Sequence, residues 1–163
     1  MKEHTPKMQD NFSAAFVKAT ETIFMTMLGM PTDVLGNGVK IDRGTLGSVS
    51  GIIGLAGENA EGLLVVSFAK ETICAIASSF YGEEYLEINQ EALDSAGELT
   101  NMICGGAKAI LSEQGIEINM ASPTVVQGEN ISVSFNRETD IFITELSLPA
   151  GRFYLEVGIT LKP

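Results

Sequence analysis

The 163-residue sequence is poor in positive charge and in the residue types of most catalytic centres, with a single His, two Cys and no Trp. Ten Lys and Arg stand against twenty-one Asp and Glu, so the formal net charge is −11. Nucleic-acid binding depends on basic side chains that displace counterions from phosphates, and this deficit therefore excludes a nucleic-acid binder. It also disfavours an anionic membrane surface and favours a protein partner that exposes Lys or Arg.

Long apolar runs are missing as well. A membrane-spanning helix needs roughly 18 apolar residues, whereas the apolar stretches at residues 51–56 and 62–69 have the length of strands. Residues 1–10 carry charges and lack the apolar core of a secretory signal. We therefore expect no membrane segment and a cytoplasmic location.

Several familiar chemistries lack a necessary part. His4 is the sole histidine, so neither a Ser-His-Asp or Cys-His triad nor a His-based metal site is expected. Cys74 and Cys104 lie in helix-like apolar patterns, which predicts buried free thiols rather than a disulfide or a zinc site. The sequence contains neither G-x-x-x-x-G-K-[ST] nor G-x-G-x-x-G. If this chain is an enzyme, its catalytic group is therefore neither a His, nor a thiolate, nor a nucleotide-binding loop.

The spacing of apolar residues predicts three helices, at residues 11–28, 71–81 and about 90–114. Gly29, Gly82 and Gly115 follow them directly, as expected of residues that end helices. Residues 1–10 are expected to form a flexible tail ahead of the first helix.

Extended segments alternate with these helices and pair into two hairpins. Because the strands come in groups rather than singly between helices, we predict one α+β domain over residues 1–163, with long amphipathic helices packed on a mainly antiparallel sheet. Each half carries a long helix followed by a hairpin, which indicates an internal pseudo-two-fold repeat. The predicted strands are 45–56 paired with 61–69, short pieces at 116–120 and 124–127, and 140–148 paired with 152–161.

The third helix carries a polar stripe formed by Asp94, Glu98, Asn101 and Gly105, which fall within roughly 60° of one another. A solvated helix face is the ordinary explanation of such a stripe, but these residues are poor choices for helix stability. Asp94 and Glu98 are like charges at i, i+4, Asn101 has no cap to form, and the pair Gly105-Gly106 costs about 1 kcal/mol per residue relative to Ala. The stripe therefore indicates a functional surface.

The pattern Asp94-x-x-x-Glu98-x-x-Asn101 resembles the signature of the CheC/CheX/FliY family of chemotaxis phosphatases. In that family a proline follows some twenty residues later, and here Pro123 stands near that place. CheC-type members carry a second Glu/Asn pair in the first helix, where this sequence has Glu21 and Phe24. The resemblance extends over about residues 11–161 and is closest to CheX.

The resemblance implies a phosphatase that hydrolyses the aspartyl phosphate of a phosphorylated CheY-like response regulator. Asn101 would orient the attacking water, and Glu98 would pair with the active-site Lys of the regulator. Asp94 and Gly105 would be accessory residues that help meet the partner. The regulator would supply Mg²⁺, since the family needs no cofactor of its own. A homodimer with joined sheets is also implied, with residues 124–127 or 152–161 as candidate edges.

Other functions remain open at this point. A non-catalytic adaptor of the same fold, in a flagellar or two-component assembly, would keep the apolar helix face and could dispense with Asn101. A thiol enzyme that uses Cys104 would need a base and an electropositive neighbourhood, neither of which the sequence indicates. A small-molecule sensor is not excluded.

Overall fold

The computed structural model describes residues 5–40, 44–58, 60–135 and 139–161. Within these ranges the chain forms an α+β fold, as predicted, in which three helices pack on a seven-stranded antiparallel sheet. The helices are α1 (Thr5–Leu28), α2 (Lys70–Tyr81) and α3 (Gln90–Glu113). The strands are β1 (Asp33–Lys40), β2 (Val49–Ala56), β3 (Ala60–Phe68), β4 (Asn119–Met120), β5 (Thr124–Gln127), β6 (Ile141–Leu148) and β7 (Gly151–Leu161).

Helix α1 begins at Thr5, six residues earlier than the apolar spacing predicts. Thr5–Asp10, which the sequence assigns to the tail, thus belong to the helix, while residues 1–4 lie outside the described ranges. Pro6 is compatible with this start, since the first turn of a helix has no use for its missing N–H. Gly29 ends the helix in the left-handed conformation, with φ +61°.

The strand order is β1-β6-β7-β3-β2-β4, and β5 also pairs with β2. Both predicted hairpins, β2 with β3 and β6 with β7, are confirmed. Strand β7 is paired on both sides, by β6 and β3, so it offers no free edge for a second copy. The expectation that residues 152–161 supply a dimer edge is therefore wrong.

Strand β1 was not anticipated from the sequence. Gly36, Asn37 and Gly38 have low strand propensity, and every residue of the strand except Lys40 is exposed. Its antiparallel pairing with β6 and an ion pair between Lys40 Nζ and Glu156 of β7 hold it in place. These partners lie more than a hundred residues away in the chain, and local sequence cannot reveal them.

The topology has the two-fold pattern that the sequence indicates. The first half consists of α1, β1, β2 and β3, and the second half of α3, β4/β5, β6 and β7. If each element is exchanged for its counterpart, the same strand order is obtained, read from the opposite edge of the sheet. Each half therefore places its first strand beside the hairpin of the other half. The helices α1 and α3 pack against each other through Gly106, where an added Cβ would lie 3.1 Å from Ala19 Cβ. This glycine therefore permits close helix–helix packing.

All three helices cover the same face of the sheet, and the core lies between the two layers. Phe24 of α1 packs at a tilt against Phe153 of β7 with ring centroids 5.0 Å apart, and Phe68 of β3 stacks on the same Phe153 ring at 5.8 Å. Helix α3 crosses β2 closely, because an added Cβ on Gly51 would collide with Thr100 Oγ1. None of the described helices is both long and apolar enough to cross a bilayer.

Candidate functional site

Helix α3 presents the polar stripe to solvent. Asn89 caps its N-terminus by accepting a 2.9 Å hydrogen bond from the Ala92 backbone N–H. The opposite face is buried in the core by Ala96, Leu99, Ile103, Ala107 and Leu111. This burial fixes the rotation of the helix, and all four stripe residues, Asp94, Glu98, Asn101 and Gly105, are consequently exposed.

Glu98 and Asn101 lie one turn apart, and neither side chain has a hydrogen-bond or ion-pair partner among the described residues. A carboxylate and a carboxamide held on a rigid helix but left unpaired are free to bind groups of another molecule. Asp94 differs, because its Oδ1 accepts a 2.8 Å hydrogen bond from Gln90 Nε2. Gln90 therefore engages Asp94 at the start of the stripe.

Gly105 faces open space on the side where a side chain would project. A Cβ added there would meet no heavy atom within 4 Å. Packing inside this protein therefore does not explain this glycine. Gly106 and Gly51 differ, because Gly106 packs against α1 and Gly51 lies beneath Thr100. The bare backbone one turn beyond Asn101 leaves room for an approaching surface.

A groove of about 630 Å³ runs along one side of the stripe. We call it the flanking groove. Its floor is made by α3 and β5, which approach so closely that a Cβ on Gly97 would lie 3.1 Å from Val125 Cγ2. We call part of its exposed polar lining the rim, namely Asp94, Glu98 and Asn101 of the stripe together with Ser122. The remaining lining residues are Gln90, Leu93, Gly97, Pro123, Val125 and Gln127.

The sequence pointed to only part of this site. Pro123 was singled out and does line the groove together with the stripe residues. Gln90, Val125 and Gln127 were missed, although the alternation of β5 places Val125 and Gln127 on one face. The pairing of β5 with β2 is what brings that face to α3, and it is a long-range contact.

The placement of the cysteines and of the residue types that could bind a metal can be described directly. No group of three or more His, Cys, Asp or Glu residues within the described ranges is arranged to hold a metal ion. Burial raises the pKa of the Cys104 thiol to about 11, although the nearby Lys108 lowers it in part. Burial also raises the pKa of Cys74. Both cysteines are buried free thiols, as predicted, and a thiol enzyme built on Cys104 is disfavoured.

Among the described side chains of the first helix, the corresponding positions form no second site of this kind. Glu21 is exposed, but Phe24, one turn further along, is fully buried against Phe153. The position related to Asn101 by the internal two-fold pattern is thus part of the core.

Comparison with known proteins shows which family this chain is similar to. A family model described as chemotaxis phosphatase CheX matches residues 49–147, which contain the whole polar stripe. The CheY-P phosphatase CheX of Thermotoga maritima is 35% identical over 83 residues, covering 50% of this chain and 53% of that protein. The chain thus spans about half the length of this curated relative in the matched region.

Solved structures extend the similarity to nearly the whole chain. A CheC-like superfamily protein from Shewanella sp. PV-4 has a TM-score of 0.85 at 33% identity, covering 92% of this chain and 97% of that chain. A chain of the CheX–CheY–BeF₃–Mg²⁺ complex from Borrelia burgdorferi has a TM-score of 0.69 at 28% identity, with coverage of 92% and 97%. The family match and these structural similarities together show that the chain belongs to the CheX family of chemotaxis phosphatases.

Proposed function

We propose that this protein accelerates hydrolysis of the aspartyl phosphate on a CheY-like response regulator. The observation that carries the proposal is the pair Glu98 and Asn101, exposed and without partners at the rim of the flanking groove. Both lie on a helix whose orientation the core fixes, so their spacing is set before a partner arrives. The relatives named as phosphatases, and the relative solved with CheY, BeF₃ and Mg²⁺, support the same assignment.

Asn101 orients the attacking water. Its carboxamide offers a donor and an acceptor, so it can hold a water molecule in one orientation without removing its proton. The water attacks phosphorus in line with the bond to the aspartyl oxygen, that bond breaks, and the products are inorganic phosphate and a free carboxylate. A carboxamide is sufficient because an acyl phosphate is already labile.

Glu98 sets the depth at which Asn101 enters the partner. Its carboxylate pairs with the active-site Lys of the regulator through a charge-assisted hydrogen bond. Mg²⁺ belongs to the regulator, where it neutralises phosphoryl oxygens, and no ligand set for it is needed on this chain. We place the reaction in the cytoplasm, where free thiols such as Cys74 and Cys104 remain reduced.

Asp94 and Gly105 complete the contact surface at either end of the stripe. Asp94 is held by Gln90 and presents a fixed negative charge to a basic partner surface. Gly105 lets the partner approach the helix backbone beyond Asn101.

The test is a turnover assay with a phosphorylated CheY-like receiver. Asn101→Ala is expected to lose about a hundredfold or more of the acceleration, because the water is no longer held in line. Glu98→Ala is expected to raise KM for the receiver more than it lowers kcat. Matched controls are Asn11→Ala on the exposed part of α1 and Glu113→Ala at the end of α3, both expected to behave as wild type.

Equal rates for wild type and Asn101→Ala would reject the catalytic proposal. Binding of the receiver without acceleration would then favour a non-catalytic adaptor of the same fold. Loss of activity in the control variants would show that the assay reports stability rather than the site.

We also propose a homodimer formed at strand β1. Strand β1 has a free edge in the described sheet and exposes Val34, Leu35 and Val39, each about half accessible. An exposed apolar edge of this kind favours pairing with a second copy. Sedimentation velocity should show a dimer for wild type and a monomer for Val39→Glu. An unchanged dimer in that variant would place the contact elsewhere, with β5 as the next candidate.

A further inference from the structure

The flanking groove has a floor of different chemistry from its rim. Leu93, Pro123 and Val125 are half-buried and apolar, and Gly97 between them carries no side chain. The backbone of Gly97 lies within α3, where its polar groups are used by the helix. A polar group placed on this floor would lose hydrogen bonds to water without replacement, which is costly. The floor therefore suits an apolar side chain.

The ends of the groove are polar but uncharged or acidic. Gln90 closes it beside Asp94, and Gln127 closes it on the β5 side. No Lys or Arg is found among the described residues that line it. With a net charge of −11 on the whole chain, this surface favours an occupant whose apolar group is flanked by basic residues.

The position of the groove indicates which molecule fills it. Gly97 precedes Asn101 by one turn, about 6 Å along the helix axis. A specific protein interface buries about 800 Å² per partner, which corresponds to a patch on the order of 15 Å in radius. A receiver centred on Asn101 must therefore also cover the groove.

We propose that the flanking groove receives an apolar side chain of the response regulator, and that Gln127 and Gln90 at its ends determine which regulators fit. This inference rests on the proposed function, because the occupant is the same receiver whose phosphate Asn101 reaches. The groove provides binding energy away from the reacting atoms, so Gln127 acts on affinity and selection among receivers rather than on the chemical step.

The experiment fills the groove from its exposed end. Gln127→Trp places a large ring over the floor, and Thr124→Trp is its control on the same strand, since strand alternation directs Thr124 to the opposite face. For Gln127→Trp we expect KM, and the Kd of a beryllofluoride-loaded receiver, to rise about tenfold or more, as expected for loss of one buried aliphatic side chain. The value of kcat at saturation stays within about twofold of wild type. Thr124→Trp leaves all three quantities unchanged.

A second variant tests the groove through charge rather than through the size of the added side chain. Gln127→Arg adds a positive charge facing a basic partner, and its long side chain can remain in solvent, so folding is preserved. It is expected to raise KM with an increase that shrinks as salt is added. Thr124→Arg is the matched control.

The outcomes separate this inference from the proposed function. If wild type does not accelerate dephosphorylation, the proposed function fails, and the present inference fails with it. If wild type is active but the Gln127 variants match it in KM and Kd, the groove is not covered by the receiver and only this inference is overturned. A Gln127→Trp variant that changes the sedimentation coefficient instead of the receiver Kd would assign the groove to a second copy of this chain, which also overturns it.

Discussion

Replacing Gly105 by Ala is expected to make the protein more stable and less active at once. A Cβ at this position meets no heavy atom within 4 Å, so the substitution introduces no clash. Ala is favoured over Gly by about 1 kcal/mol in the interior of an exposed helix. The free energy of unfolding should therefore rise by about 1 kcal/mol, which for a domain of this size raises Tm by about 2–4 °C.

Under the proposed function, the same methyl group lies where the receiver approaches the helix. It enlarges the polar stripe one turn beyond Asn101 and forces the docked partner outward. A misplacement of about 1 Å at a reacting centre can cost on the order of a hundredfold in rate. Because part of the strain is relieved by tilting of the partner, we expect kcat/KM for a phosphorylated receiver to fall by about ten- to a hundredfold.

Thermal and urea unfolding measure the first effect, and receiver turnover measures the second. Ala109→Gly is the mirror control, since Ala109 is exposed one further turn along α3. It should lower Tm by a similar amount and leave turnover unchanged, because it removes atoms rather than adding them. A Gly105→Ala variant with raised Tm and unchanged kcat/KM would refute docking at this position. A lowered Tm would refute the argument that the space is open.

Two further predictions concern the core. Phe24→Asn creates the Glu/Asn spacing in α1, but it should destabilise the fold by about 3–5 kcal/mol, as for loss of a buried Phe, which urea unfolding measures. It should add no phosphatase activity, which is measured by receiver turnover in an Asn101→Ala background. The pKa of Cys104 is raised by burial to about 11 in the folded state from 9.0, so its contribution to stability is complete below about pH 9 and is lost as pH rises through 11. In urea titrations between pH 8 and 11, the free energy of unfolding of wild type should fall as pH rises, and that of Cys104→Ala should fall less. Equal dependence on pH in the two proteins would contradict the raised pKa of Cys104.

The helices were predictable because their signals are local. The spacing of Leu99, Ile103 and Ala107 in α3 determines which face is buried, and the exposed stripe follows from helix geometry. The family motif lies within one helix, so its residues were brought together by the 3.6-residue period rather than by the tertiary fold. Glu98 and Asn101 were for this reason identified together, although their roles in the reaction stay predictions.

The β5 side of the flanking groove was not predictable from such local signals. Gln127 lies 26 residues after Asn101 and reaches the groove only because β5 pairs with β2. Strand β1 likewise depends on β6, and its Gly-Asn-Gly segment gives no local strand signal. The dimer edge assigned to residues 152–161 was wrong because alternation reports which faces of a strand are buried but not how many neighbours it has.

The amino-acid sequence alone determined the acidic character, the three helices and the alignment of Asp94, Glu98, Asn101 and Gly105, since each depends on composition or on contacts within a few residues. Only the tertiary structure decided that β7 is central, that β1 forms an edge, and that β5 lies beside α3 to form the flanking groove. These features depend on pairings between distant segments, whose register is set by the packing of the whole sheet against its helices.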